Sequence, residues 1–152
     1  MTQPVSIRPL AARDRPEWTR LWTAYLEFYE TVLGDDVYGT AFSRLLDDDP
    51  HEFRGFIAEL DGKPVGLVHF VYHRTLWAVE DTCYLMDLFT DPACRGKGVA
   101  RALINAVTAR AKADGVPSVY WMTQEFNYKG RMLYDQVAER TPFIVYEIHD
   151  KG

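Results

Sequence analysis

Residues 84–113, which read YLMDLFTDPACRGKGVARALINAVTARAKA, decide the fold of this chain. They contain an apolar strand, a short Asp-Pro turn, an Arg-Gly-Lys-Gly loop and a long amphipathic helix. The N–H groups of a helix's first turn have no helical acceptors and the helix dipole is positive there, so such a loop can hold a phosphate. The stretch therefore predicts a strand, an anion-binding loop and a helix that packs through one apolar face. That face consists of Val99, Leu103, Ile104, Val107 and Ala111.

The loop resembles three known phosphate-binding motifs, but its residues do not satisfy two of them. A G-x-G-x-x-G fingerprint would need a small residue where Arg101 stands. A P-loop needs Ser or Thr after its lysine, but Gly98 follows Lys97. The third motif is Arg-x-x-Gly-x-Ala, which Arg95, Gly98 and Ala100 satisfy. Since glycines and basic residues are also common in turns, the hexad by itself leaves an ordinary strand-to-helix turn open.

Size and composition predict a single domain over residues 1–152. The chain has 152 residues with 47% hydrophobic side chains, enough for a sizeable core. No run approaches the ~18 apolar residues of a membrane helix, and no signal-peptide core opens the sequence. Two cysteines make neither a disulfide framework nor a zinc site, and a net charge of −5 disfavours nucleic acid as a partner. We expect a cytoplasmic protein without metal, membrane or nucleic-acid partners.

Periodicity and turn residues predict ten elements in the order β-α-α-β-β-β-α-β-α-β. Asp14 is expected to cap the first helix, with Glu17 completing a capping box, and Gly34 to end it. Asp61-Gly62-Lys63 predicts a hairpin turn. The predicted strands are 5–8 at a sheet edge, 54–60, 64–73, 82–90, 119–123 and 142–148; the predicted helices are 14–33, 38–46, 99–113 and 127–138.

Acidic residues are concentrated in residues 26–60. This segment has nine acidic side chains against Arg44 and Arg54, an excess of seven negative charges. A solvated acidic face explains such a run, and that is the preferred explanation for Asp47, Asp48 and Asp49. The alternative is an acidic rim that attracts a cationic substrate.

The hexad after an apolar strand resembles the acetyl-CoA pyrophosphate loop of the GNAT superfamily of N-acetyltransferases, and the element order matches that fold. Asn127, Gly130 and Tyr134 stand at the spacing N-x-x-A/G-x-x-x-Y found after the fifth strand of many such enzymes. The segments YWMTQEFN and RTPFIVYEI are similar to small-molecule amine acetyltransferases, including spermidine/spermine-type enzymes. The resemblance implies an α/β fold with a mixed, mostly antiparallel sheet whose fourth and fifth strands splay apart.

The resemblance also implies how acetyl-CoA, the cosubstrate, is held. Backbone N–H groups of the loop would bind its pyrophosphate, with basic side chains adding charge. A bulge in the central strand would free backbone groups for the pantetheine arm and the thioester carbonyl. Asn127 would hydrogen-bond the cofactor, although an N-cap role fits its position too. The expected cofactor-binding residues are Leu88, Phe89, Thr90, Arg95, Gly96, Lys97, Gly98, Val99, Ala100, Asn127 and Gly130.

Tyr134 and Asp87 are the candidate catalytic residues. A phenol with a pKa of ~10 can pass its proton to a leaving thiolate with a pKa of ~8.5, so Tyr134 is the candidate general acid; a core tyrosine is the alternative. Polyamine-type relatives carry Leu-Glu-Asp in the central strand, and that Glu is the usual base. Here Met86 replaces it, which leaves Asp87 as candidate base or as a buried hydrogen-bond acceptor.

Glu30 and Glu80 are reserve candidates for the base and for binding the substrate. The sequence thus predicts direct acetyl transfer from acetyl-CoA to a primary amine, and the acidic segment favours a small cationic acceptor. A protein or peptide amine is an alternative acceptor, and a non-catalytic acyl-CoA-binding module is an alternative class that Met86 keeps open. Homodimers are common in the superfamily, so the resemblance allows one here.

Overall fold

The computed structural model describes residues 4–150, which form two compact units, one up to Met122 and one from Thr123 onward. The first unit holds a five-stranded sheet and three α-helices; the second holds one α-helix. The strands are β1 Ser6–Pro9, β2 Arg54–Leu60, β3 Lys63–His73, β4 Thr82–Thr90 and β5 Val119–Tyr120. The helices are α1 Arg15–Phe28, α2 Asp35–Leu45, α3 Val99–Ala113 and α4 Tyr128–Val137, with short 3₁₀ turns at Ala12–Asp14 and Pro92–Cys94.

The sheet follows chain order, β1-β2-β3-β4-β5, so β1 lies at an edge as predicted. The first three pairings are antiparallel and the β4–β5 pairing is parallel. The predicted hairpin turn between β2 and β3 is confirmed, with φ of 52° at Asp61 and 73° at Gly62. Two successive positive φ angles are those of a type I′ turn, whose twist matches the flanking strands.

Helices cover both faces of the sheet. Leu67 of β3 packs among Trp18, Leu21 and other buried side chains of α1 and α2. The neighbouring Gly66 faces Val99 and Leu103 of α3 instead. Because successive strand residues point to opposite faces, α1 and α2 lie on one face and α3 on the other. The predicted apolar face of α3 is fully buried.

The predicted capping of α1 is wrong. Asp14 has helical backbone angles and its side chain caps nothing in α1. Its carboxylate instead accepts two hydrogen bonds from the Arg8 guanidinium, both 2.7 Å, and a third from the Ala11 N–H at 2.7 Å. A charged donor on β1 within reach outcompetes neutral helical N–H groups, since charge-assisted hydrogen bonds are stronger.

Gly34 does not end α1. That helix ends at Phe28, and Gly34 is the N-cap of α2, which begins three residues before the predicted residue 38. The acidic pair Asp35 and Asp36 forms the first turn of α2, where negative side chains oppose the positive end of the helix dipole.

The last predicted strand, residues 142–148, is not in a strand, and β5 is shorter than predicted. The apolar side chains of this segment are largely exposed: Phe143, Ile144, Val145, Tyr146 and Ile148. An apolar run rich in aromatic and β-branched residues becomes a strand only when a neighbouring strand accepts its ladder hydrogen bonds. No helix between residues 4 and 150 combines the length and apolarity needed to cross a bilayer.

Candidate functional site

The loop before α3 has the conformation of an anion-binding loop. Gly96 and Gly98 have φ of 80° and 79°, the left-handed region that glycine adopts without strain. A Cβ atom added at either glycine would meet nothing within 4 Å, so both face open space. The loop is anchored at its start by Asp91, whose side chain accepts from the Ala93 N–H at 3.0 Å and whose N–H donates to the Val65 carbonyl at 2.7 Å.

The start of α3 offers backbone donors and positive charge together. Gly98 is the N-cap and has no side chain to accept from the first turn. The Ala102 N–H to the Gly98 carbonyl, 3.0 Å, is the first helical hydrogen bond. Arg95 and Lys97 are exposed, whereas Val99 is buried and holds the helix on the sheet. The two charges and the preceding N–H groups suit a phosphate group.

Gly66 allows α3 to approach the sheet closely. A Cβ atom at this position of β3 would lie 2.9 Å from the Phe89 carbonyl oxygen and 3.0 Å from a methyl group of Val99. Real Cβ atoms do not approach backbone that closely, so a larger residue would push α3 away. The close packing of the start of α3 on β3, beside the end of β4, therefore depends on the absence of a side chain at Gly66.

β4, the central strand, contains the bulge that the resemblance implies. His69 of β3 pairs with Asp87, but the next residue, Phe70, pairs with Leu85. Met86 is the extra residue, so the bulge lies just before Leu88–Thr90, whose contact with the cofactor stays a prediction. Met86 is 41% exposed, which shows that the bulge turns an apolar side chain outward.

The fourth and fifth strands pair over two residues only. The register covers Cys83 with Val119 and Tyr84 with Tyr120, and β4 then continues six residues to Thr90 without β5. Phe89 points into the core, and Leu88 and Thr90 are half-buried. The Thr90 hydroxyl is shielded from solvent and has no hydrogen-bond partner. An orphaned hydroxyl on the strand next to the open loop suits a polar ligand group.

Asp87 is bound on both carboxylate oxygens. The Tyr25 hydroxyl of α1 donates to Oδ1 at 2.8 Å, and His69 Nδ1 of β3 lies 2.9 Å from Oδ2. His69 Nε2 in turn accepts from the Trp18 indole N–H at 2.9 Å. Asp87 is thus a hydrogen-bond acceptor on both oxygens, and its part in catalysis stays a prediction.

Tyrosines surround this carboxylate and stay protonated. Burial raises the pKa of Tyr25 far above its ordinary value, and the charge of Asp87 adds to the effect. Burial, followed by the same charge, raises the pKa of Tyr29. Burial also raises the pKa of Tyr84, with Tyr120 and Asp87 adding to it. A carboxylate beside phenols that keep their protons is an arrangement that favours a cation nearby.

Within the second unit, Asn127 is the N-cap of α4. Its Oδ1 accepts from the Gly130 N–H at 3.3 Å, and its Nδ2 donates to the Thr123 hydroxyl at 2.9 Å. A Cβ atom at Gly130 would lie 2.6 Å from the Asn127 amide nitrogen, so a larger residue there would displace the capping side chain. Tyr134 lies one turn further along α4 and is half-buried. Cofactor contact by Asn127 and Gly130, and the catalytic role of Tyr134, stay predictions.

The reserve acids are both exposed. Glu30 lies beyond the end of α1, not within it, and has a left-handed φ of 54°. Glu80 lies in the loop that precedes β4, next to the exposed Trp77. Seven of the nine acids of residues 26–60 are exposed, and of the other two Glu59 is bound to Arg8 at 2.6 Å. The exposed seven are Glu27, Glu30, Asp35, Asp36, Asp47, Asp48 and Asp49.

Sequence reasoning found the loop and the strand but missed the residues that hold Asp87. His69 and Tyr25 stand 18 and 62 residues from it, and no local spacing signals either contact. The one available signal was a lone charge in an apolar strand, which needs a buried partner. Across residues 4–150, no three His, Cys, Asp or Glu side chains form a group that could hold a metal ion.

Comparison with known proteins agrees with this geometry. Residues 16–138 match the Acetyltransferase (GNAT) family. The chain is 33% identical over 144 residues to the D-amino-acid N-acetyltransferase HPA3 of Saccharomyces cerevisiae, covering 94% of this chain and 89% of that protein. It is 30% identical over 101 residues to the thialysine N-epsilon-acetyltransferase of Caenorhabditis elegans, covering 66% and 62% of the two chains.

Solved structures share the fold at lower identity. The ribosomal-protein-alanine N-acetyltransferase of Brucella melitensis biovar Abortus superposes with a TM-score of 0.80 at 24% identity, over 97% of this chain and 99% of the other. AAC(6')-Iy, solved with the bisubstrate analogue CoA-S-monomethyl-acetylneamine, gives a TM-score of 0.81 at 20% identity over the same shares. These likenesses concern the fold alone.

Proposed function

Because the chain belongs to the GNAT family of acetyltransferases, whose enzymes use acetyl-CoA, we propose that it acetylates the primary amine of a small cationic molecule. Two relatives support a small acceptor, since their names state that they acetylate D-amino acids and thialysine. The exposed acidic side chains of residues 26–60 support a cationic one, because a field of one sign concentrates the opposite charge. Both cysteines are free, which suits the reducing cytoplasm.

The observation that carries this proposal is the conformation of the loop before α3. Gly96 and Gly98 are both left-handed and open, and Arg95 and Lys97 flank them with exposed positive charge. We propose that the N–H groups of residues 95–100 bind the pyrophosphate of acetyl-CoA. The backbone of Leu88–Thr90 and the orphaned Thr90 hydroxyl would bind the arm that carries the thioester.

Acetyl-CoA supplies an activated acyl group, and the chain supplies orientation and proton transfer. Asp87 is the proposed acceptor of the amine's proton, directly or through water, because it is the carboxylate that β4 carries into the centre of the first unit. An alkylamine is mostly protonated at neutral pH, so a nearby anion both attracts it and takes up its proton.

Tyr134 is the proposed donor to the departing thiolate. Tyr134→Phe should then lower kcat by at least about a hundredfold, the lower end of the range for general acid catalysis, and change the Kd of acetyl-CoA much less. Stopped-flow thiol release and calorimetric titration of acetyl-CoA measure the two quantities. Tyr128→Phe, on an exposed tyrosine of the same helix, is the control. Equal kcat in Tyr134→Phe and the wild type would remove Tyr134 from the mechanism.

A thiol-release assay with acetyl-CoA and a panel of acceptors tests the function. The panel contains diamines, basic amino acids of both configurations, a neutral primary amine, and a peptide with a free N-terminus. We expect turnover with the small cationic acceptors and the largest kcat/KM there. Faster turnover of the peptide would shift the assignment to protein acetylation. Stabilisation by CoA without thiol release on any acceptor would instead indicate a non-catalytic acyl-CoA-binding module.

We also propose that the chain forms a homodimer in which residues 142–148 pair with a second copy. This segment carries a strand pattern without a strand partner, and its apolar side chains are 67–98% exposed. Its two aromatic and three aliphatic side chains form an apolar stretch interrupted only by Glu147. A chain that keeps this much apolar surface in water would associate.

A further inference from the structure

A buried hydrogen-bonded chain joins α1, β3 and β4 within the first unit. It runs from the Trp18 indole to His69, from His69 to Asp87, and from Asp87 to the Tyr25 hydroxyl, with each contact at 2.8–2.9 Å. His69 is 5% exposed and Trp18 is fully buried, so water does not compete for the bond between them, whereas the two bonds to Asp87 are partly buried. These hydrogen bonds thus have a defined geometry, and they meet at Asp87 on β4, the strand that the proposed reaction uses.

The direction of these hydrogen bonds follows from which atoms can donate a proton. An indole nitrogen only donates, so His69 Nε2, 2.9 Å from Trp18 Nε1, accepts and carries no proton. The proton of the neutral imidazole is therefore on Nδ1, which donates to Asp87 Oδ2. Tyr25 donates to the other oxygen. The Trp18 indole, which does not titrate, therefore determines which tautomer His69 adopts.

The His69–Asp87 bond lies beside the interrupted part of the β3–β4 ladder. His69 and Asp87 are register partners, and the bulged Met86 separates this pair from the next, Phe70 with Leu85. A bulge weakens the local ladder, and a side-chain hydrogen bond across the adjacent pair restores a fixed register. This contact orients the carboxylate, while the backbone that follows, up to Thr90, is held by its own pairing with residues 66–68 of β3.

We infer that His69 is a positioning residue for the proposed acetyl transfer: it orients the Asp87 carboxylate and does not itself carry a proton. The inference rests on the proposed function, because it assigns Asp87 a partner in that reaction. A relay would need a proton on Nε2 at some step, and that nitrogen faces the N–H of Trp18. Two donors would then point at each other in a site without water, which is costly.

Two substitutions separate positioning from proton transfer. His69→Gln keeps the polarity, since the amide oxygen can accept from Trp18 and the NH₂ group can donate to Asp87, but it cannot titrate. His69→Leu fills similar space and removes both bonds. We expect His69→Leu to lower kcat/KM on the order of a hundredfold, the cost of misplacing a reacting group by ~1 Å. We expect His69→Gln to recover activity to within about threefold of the wild type.

The outcome that overturns the inference is a folded His69→Gln protein that binds acetyl-CoA but is as slow as His69→Leu. Circular dichroism and calorimetric titration of acetyl-CoA establish folding and binding for each variant. Loss of the acidic limb of the pH–rate profile in His69→Gln would also overturn it, because a residue that only positions Asp87 leaves the titration of the catalytic groups in place.

A measurement on the unaltered protein tests the same inference without turnover. Long-range ¹⁵N–¹H correlation spectra of the histidine rings distinguish the two neutral tautomers and the imidazolium. We expect the ring assigned to His69, by its loss in His69→Gln, to carry its proton on Nδ1. Turnover together with an Nε2–H tautomer would refute this inference alone. The Nδ1–H tautomer without thiol release on any amine would refute the proposed function.

Discussion

At the scale of single residues, Asp14 makes the stability of the fold depend on pH. The Arg8 guanidinium donates two hydrogen bonds to its carboxylate and holds the pKa of Asp14 below its ordinary value of 3.8. The folded chain therefore binds fewer protons than the unfolded chain between the two pKa values. The resulting stability is complete above pH ~4 and is lost as the pH falls through the folded value.

Asp14→Asn should consequently lower the free energy of unfolding at pH 7 by about 1–3 kcal/mol, the cost of leaving buried hydrogen-bonding groups unpaired. The difference from the wild type should shrink as the pH falls below the ordinary value. Urea denaturation between pH 3 and 7 measures it, with the exposed Asp48→Asn as control. A difference that stays constant over this range would contradict the assigned role of the Arg8–Asp14 pair.

The two thiols should differ sharply in reactivity. Burial raises the pKa of Cys83 to about 12, so at pH 8 about one part in ten thousand is thiolate, and the side chain is inaccessible. Cys94 is half-exposed at the end of the 3₁₀ turn before the glycine loop. We expect iodoacetamide to alkylate Cys94 while sparing Cys83 until the protein unfolds, as peptide mass spectrometry would show. Equal labelling of both cysteines in the native protein would contradict the burial of Cys83.

At the scale of elements, the glycine loop can be tested against a matched turn. Gly62, Gly96 and Gly98 all have φ of 73–80° and open space at the Cβ position. Alanine at any of them costs a similar amount of strain, about 1–2 kcal/mol. We expect only Gly96→Ala and Gly98→Ala to weaken acetyl-CoA binding as well, at least tenfold by calorimetric titration. An equal loss of affinity in Gly62→Ala would show that strain, not phosphate contact, is responsible.

The arrangement of elements explains why this loop lies where it does. Gly66 lets α3 approach the sheet, Val99 anchors its first turn, and Asp91 holds the chain that connects β4 to it. The Met86 bulge follows the two residues over which β4 pairs with β5, and β4 continues beyond them without that partner. The position of the glycine loop thus depends on packing contacts some distance from it.

At the scale of the whole molecule, association should depend on residues 142–148. Val145→Lys places a charge in the segment proposed to pair with a second copy, which should raise the dimer dissociation constant at least a hundredfold. Light scattering coupled to size-exclusion chromatography measures the mass of each protein. Val32→Lys, on an equally apolar and 95% exposed residue elsewhere, is the control. A monomeric wild type, or a Val145→Lys protein that dimerises like the wild type, would contradict the proposal.

The sequence by itself determined the features that arise from local backbone chemistry. The ends of β4 and α3 and the Asp-Gly turn were predictable, because periodicity and turn geometry depend on neighbouring residues. The Arg-x-x-Gly-x-Ala hexad was identifiable for the same reason. The family followed from these local features taken in order.

Only the tertiary structure decided which groups meet across the chain. Hydrogen bonds between residues 18 to 62 positions apart join Trp18, His69, Asp87 and Tyr25. The Asp14 carboxylate binds Arg8 of β1 and does not cap α1. Residues 142–148 have the pattern of a strand but no strand beside them. In each case the outcome depends on whether a partner is present at a given place, and hydrogen-bond and ladder partners are supplied by the fold, not by neighbours in sequence.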